Sequence, residues 1–184
     1  MKKAKSITVI MLMAFIGLTA MSCKDSKKEE ATASEITDIH SQKSSSKQIL
    51  ADYMVLKDAL VATNESASQK AGKKLEKTLE SFNVDIYSAA EQEELKDIIE
   101  VAAEHAEHIS RSDMAHQREH FQMLTKDITD MIEIIETENT LYQQYCPMYA
   151  DDTGGAWLSM EKEIRNPYFG DLMMNCGVVQ KEIN

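Results

Sequence analysis

Proline and glycine are scarce in this 184-residue chain, two and six residues respectively, and without them the closely spaced turns of a sandwich or barrel cannot be made. Strand signals are weak everywhere. Basic residues are the minority, 20 Lys and Arg against 31 Asp and Glu for a formal charge of −11, which argues against a nucleic-acid partner. No apolar run reaches the length of a membrane span; the longest, Ile7–Leu18, falls well short. There is no Cys-x-x-Cys, no readable order of Ser, His and Asp for acyl transfer, and no pair of Glu-x-x-His steps for a di-iron carboxylate bundle. Asp113-x-x-His116 is the nearest approach to the last, and no second motif completes it. A non-enzymatic protein is the expectation.

What is present begins with an address. Lys2, Lys3 and Lys5 precede the apolar run, and the small residues Ala20 and Ser22 lead to Cys23, the pattern of a secretory signal. The segment resembles a bacterial lipoprotein signal over residues 1–22, with lipid attachment at Cys23, membrane lipid as the first partner, and a lipid-anchored place in the cell envelope. Cleavage there removes three lysines and no acids, taking the charge from −11 to −14. Residues 23–47 are polar and rich in Lys, Glu, Ser and Thr, and read as a disordered tether. Residues 48–184 remain for one domain.

Helical periodicity runs through most of that domain. Ile49, Tyr53, Leu56 and Leu60 form the first stripe, and Thr63-Asn64 offers a turn and an N-cap. Ala71, Leu75, Leu79 and Phe82 form the second, and Ser88 with Glu91 makes a capping box for the third, Leu95, Ile98, Ala102, His105 and Ile109. After a break at Ser110–Asp113 the fourth stripe is Phe121, Leu124, Ile128, Met131 and Ile135. The expected fold is all-α: an antiparallel up-down four-helix bundle with an irregular C-terminal cap over about residues 142–180.

Two constellations carry chemistry. Cys146-Pro147-Met148 is answered by Met173-Met174-Asn175-Cys176-Gly177, gathering soft sulfur donors that favour Cu(I) or Ag(I) over hard cations. The rival reading is a Cys146–Cys176 disulfide, common in exported proteins and contributing roughly 3 to 4 kcal/mol for a loop of this length. The second constellation is histidine. His105 and His108 sit three apart and His116 and His120 four apart on the two sides of a helix hairpin. The helical rise puts His105 level with His120 and His108 level with His116. On the fourth helix that face continues through Met123 and Asp127.

The run Tyr142-x-x-Tyr145-Cys146-Pro147-Met148, then Gly155-x-Trp157-Leu158-Ser159, then Ile164-Arg165-Asn166-Pro167-Tyr168-Phe169-Gly170-x-x-Met173-Met174-x-Cys176-Gly177 closely resembles an uncharacterised helical domain, mostly of Bacteroidota. That domain occurs alone in lipoproteins and at the C-termini of periplasmic adaptor subunits of heavy-metal efflux pumps. Tyr53-x-x-Leu56-Lys57-Asp58-Ala59-Leu60-Val61 and Gln117-Arg118-Glu119-His120-Phe121 extend the likeness upstream, so that it covers about residues 48–180. The resemblance implies copper or silver handling, with an efflux adaptor or pump as partner. Cys146-Pro147-Met148 also resembles the start of a heavy-metal motif, Cys-Pro-Met-His-Pro, in which Tyr149 and Ala150 here replace His-Pro. The expected ligands are therefore Cys146, Met148, Met173, Met174 and Cys176, with His120 or His116 as nitrogen donor if the cap folds back over the third and fourth helices. Trp157, Tyr168 and Phe169 would then wall cap from bundle. The alternative function is a module that docks on an efflux-pump component, its cysteines bridged as a staple.

Overall fold

A computed structural model describes residues 26–184, and their side chains from Ser44 onward. The expected signal peptide over residues 1–22 and the expected lipid attachment at Cys23 lie outside the described residues. Four helices pack together: α1 (Ser26–Val61), α2 (Glu65–Glu80), α3 (Ala89–Arg111) and α4 (Met114–Ile135). Each lies against the next in chain order, and α1 also touches α4. The stripes read from the sequence are the core, with Tyr53, Leu56, Leu60, Leu75, Leu79, Leu95, Ala102, Ile109, Phe121, Leu124, Ile128 and Met131 all buried. Among the described residues no helix is long and apolar enough to cross a membrane.

Side chains set where the helices begin. Asn64 accepts the Ala67 amide, Asp113 accepts that of His116, and Ser88 and Glu91 cap each other reciprocally. Such caps each contribute about 1 kcal/mol. Between α2 and α3 the backbones come so close at Gly72 that a Cβ there would sit 2.9 Å from the Ala106 carbonyl oxygen and from Ile109 Cγ2. Only glycine fits without moving a helix.

Two expectations are corrected. The stretch 26–47, assigned above to a disordered tether, belongs to α1. No Gly or Pro occurs anywhere from Lys24 to Val61, so once the packed half of α1 nucleates, nothing stops the helix from propagating outward. The cap is not irregular either. It holds a three-stranded antiparallel sheet in the order β2-β1-β3, from β1 (Leu141–Cys146), β2 (Gly155–Ser159) and β3 (Val178–Ile183). The molecule is thus a four-helix bundle with a small sheet, not an all-α protein.

The sheet escaped the sequence reading for a structural reason. A register shift between Gln143 and Gln144 puts Leu141, Gln144 and Cys146 on the buried side, which breaks the period-two alternation that marks a strand. β3 is exposed along nearly all its length and β2 is largely buried, so neither alternates.

Candidate metal centre

The cap is pinned to the bundle by a few long-range contacts. Tyr53 on α1 accepts the Leu158 amide at 3.1 Å and hydrogen-bonds Thr125 of α4 at 2.8 Å. Gln122 donates to the Gly154 carbonyl, and Arg118 donates from Nε to Pro167 O at 3.0 Å and from Nη2 to Thr63 Oγ1 at 3.1 Å. Tyr168 is buried and stacks on Tyr149 at 4.0 Å, with the rings of Phe121 and Trp157 about it at 5.9 and 6.0 Å. Burial pushes the phenols of Tyr53 and Tyr168 well above their ordinary values, so both stay neutral hydrogen-bonding groups. Leu141, Cys146, Trp157, Leu158 and Tyr168 share one core with the helices. Trp157 and Tyr168 line the seam between cap and bundle, and Phe169 packs half-buried against the same core.

The two sulfur ends converge within this cap. Cys146 closes β1, and Cys176 stands just before β3, whose Val178 pairs with Tyr145. Both cysteines are free; Cys146 is fully buried and Cys176 partly so. The thiols lie near enough to interact: the neighbouring Cys146 thiol, followed by burial, raises the Cys176 thiol above its ordinary value, while the Met148 amide works the other way. Asn166 holds the arm in place. Fully buried, it accepts the amides of Tyr168 and Phe169 and donates to the Cys176 carbonyl at 2.8 Å. Cys176 also closes a turn onto the Met173 carbonyl, and Asn166 N–H donates to Met174 O. Met173 and Met174 are half-buried, whereas Met148 is exposed.

Directly after Cys146-Pro147-Met148 the chain makes a left-handed turn over Tyr149–Asp152, with φ of 50° at Ala150, 53° at Asp151 and 65° at Asp152. For residues carrying a Cβ this costs roughly 1–2 kcal/mol each. The turn ends at Gly154, φ 86°, where a Cβ would fall 1.9 Å from the Tyr145 hydroxyl. Ala150→Gly relieves one strained residue, and urea unfolding should show a gain of about 1 kcal/mol. A loss would mean that the turn is not left-handed in solution.

The histidines gather as the helix rise implied, although not with the sulfur. His105 Nδ1 lies 3.0 Å from His120 Nδ1, His120 Nε2 lies 3.0 Å from His116 Nε2, and the His108 ring stacks on His120 at 4.3 Å. On α4 the residues that hydrogen-bond the cap, Arg118 and Gln122, are each two positions from His116 and His120, which is about half a helical turn. The cap therefore rests on the face of α4 away from the histidines. His116 and His120 are not brought to the cysteines, because the Arg118 and Gln122 contacts decide which side of α4 the cap covers. Among the described residues, the His, Cys, Asp and Glu groups close enough to hold a metal include His108, His116 and His120 but neither cysteine.

Residues 49–140 match the family described as "Protein of unknown function (DUF3347)", which is half the chain. The chain belongs to this family. The match to DUF3347 runs from the buried half of α1 to the residue before β1, so it takes in the four histidines and leaves out the sulfur-bearing cap. No curated protein and no solved structure matches the chain. Sequence reasoning had both constellations in hand, but it missed two features. One is the Asn166 clamp, whose side chain joins the amides of Tyr168 and Phe169 to the Cys176 carbonyl within a loop that has no periodic pattern. The other is the strained turn after Met148, where no glycine signals a positive φ.

Proposed function

We propose that this is a non-enzymatic, lipid-anchored protein of the cell envelope that binds or passes a soft metal ion, Cu(I) or Ag(I), in metal homeostasis or efflux. The observation that carries the reading is the contact between the Cys146 and Cys176 thiols, two soft donors from distant parts of the chain held together at the edge of the core. Two thiolates suffice for a Cu(I) ion, and Met148, Met173 and Met174 stand next to them in sequence as thioether donors. The leader ending at Cys23 supports anchoring, and the likeness to Bacteroidota lipoproteins and to the C-terminal domains of efflux adaptors supports a partner in a heavy-metal pump. The reduced chain should take Cu(I) from a chromophoric chelator, and Cys146→Ser and Cys176→Ser should each lose that ability. Unchanged chelator absorbance at stoichiometric protein would end the proposal.

The same proximity favours one rival. Bridged, Cys146 and Cys176 would staple the cap, contributing roughly 3–4 kcal/mol, and the bundle would serve as a module docking on a pump component. Counting free thiols on protein taken from the envelope separates the two. A pair found fully oxidised, with no metal taken up, supports docking.

A further inference from the structure

The geometry points to a second metal site, independent of the cysteines, in which His108, His116 and His120 bind a borderline divalent transition ion of the Zn(II) class. One nitrogen from each of these three rings lies within 4.8 Å of the other two. Imidazole suits zinc, copper, iron and nickel, whereas paired thiols suit Cu(I). The two sites therefore differ in the ion they take as well as in their place on the fold.

Proximity alone does not make a site; the tautomers do. The outward-facing ring nitrogens of His116 and His120 each have a partner that orients the ring. His116 Nδ1 lies 3.1 Å from Glu119 Oε2, a carboxylate that only accepts, so the proton is on Nδ1 and the Nε2 lone pair faces inward. A parallel chain orders His120. Asp127 Oδ2 is buried, has no hydrogen-bond partner, and stands 3.8 Å from His105 Nε2, where a negative charge favours the His105 tautomer protonated on that nitrogen. His105 Nδ1 is then an acceptor, so His120 Nδ1 at 3.0 Å must donate to it, and His120 Nε2 is also left with a lone pair.

Two lone pairs thus point at each other, His116 Nε2 and His120 Nε2, 3.0 Å apart. Such a pair is repulsive unless a cation lies between. A metal ion has the size and charge for that place. Tetrahedral Zn–N bonds of about 2.0–2.1 Å place two ligand nitrogens about 3.3 Å apart, within a few tenths of an ångström of the separation seen.

The surroundings agree with this assignment. His105 and Asp127 behind His120 form the imidazole and carboxylate backing that orients metal-bound histidine. Asp127, Glu119 and Glu104, which lies 3.9 Å from His108 Nε2, supply negative charge around the ion. His108 and His116 are 33 % and 47 % exposed, so the outer side is open to an incoming ion and to a water or exchanging ligand in the fourth position.

The test uses the full chain without a polyhistidine tag, its thiols alkylated with iodoacetamide, titrated with Co(II). A single equivalent should develop the intense visible d–d absorption of tetrahedral cobalt, and Zn(II) should displace it. His116→Ala and His120→Ala should each abolish the band, while Asp127→Asn should weaken binding by about 10- to 100-fold with the band retained. Far-UV circular dichroism checks that each variant stays folded, and His116, being nearly half exposed, is the variant least able to disturb the core. A band lost on alkylation, or weak octahedral absorption indifferent to His116→Ala, would overturn the site. Failure of Cu(I) binding at the cysteines leaves this result untouched, and the reverse also holds.

Discussion

Trp157→Ala should cost about 3–5 kcal/mol in urea unfolding, the range for emptying a large aromatic site in a packed core. Trp157 is fully buried on β2, meets Tyr168 edge-on, and lies so close under Gly177 that a Cβ there would sit 2.8 Å from Trp157 Cη2. It belongs to the same core as the helices, so the void would open between cap and bundle and be felt by both. Trp157→Phe is the informative control. It keeps most of the apolar volume and removes an indole N–H that has no protein hydrogen-bond partner, so the cost should be less than half that of alanine. As the only tryptophan in the chain, Trp157 also makes the wild-type fluorescence a reporter of the cap. A loss under 1 kcal/mol for alanine would mean that cap and bundle do not share a core in solution.

The parts of this fold that could be read from the residues are those whose signal is local. Each helical stripe repeats every three or four positions, so Tyr53, Leu75, Ile109 and Phe121 announced their burial, and the caps at Asn64 and Ser88 were spelled out by neighbours three residues away. The histidine cluster was legible for the same reason, since it needs only a helix rise and a hairpin turn. The sheet was not, because the shift at Gln143/Gln144 hides the alternation of β1 and the other strands are nearly uniform in burial. The docking face was not either. Whether the cap covers the histidine side of α4 or the opposite one depends on Arg118 meeting Pro167 and Gln122 meeting Gly154, contacts spanning tens of residues that no periodicity encodes. The expected joining of His120 to the sulfur donors failed on that point alone, and the histidine cluster lies apart from the thiol pair.

Asn166→Ala should lower stability by roughly 2–4 kcal/mol and, more tellingly, should part the two thiols. The side chain of Asn166 is fully buried and satisfies the Tyr168 and Phe169 amides and the Cys176 carbonyl together. Alanine leaves all three without that partner, and each buried backbone group stranded in this way costs about 1–3 kcal/mol before the loop relaxes. Relaxation has a direction. Cys176 is tethered to the 166–169 turn through this side chain and to Met173 through a single backbone bond, so the arm carrying it should swing away from Cys146 first. Stoichiometric Cu(I) capture by the reduced protein should fall, and the rate of Cys146–Cys176 bridging under a mild oxidant should fall with it. Asn166→Asp separates the two roles of the amide: a carboxylate still accepts both amides, but it cannot donate to the Cys176 carbonyl and is repelled by it. That variant should keep much of the stability while losing thiol proximity. If Asn166→Ala bridges its cysteines as fast as the wild type, the arm is held by something other than Asn166, and the thiol pair is not the organised donor set on which soft-metal binding depends.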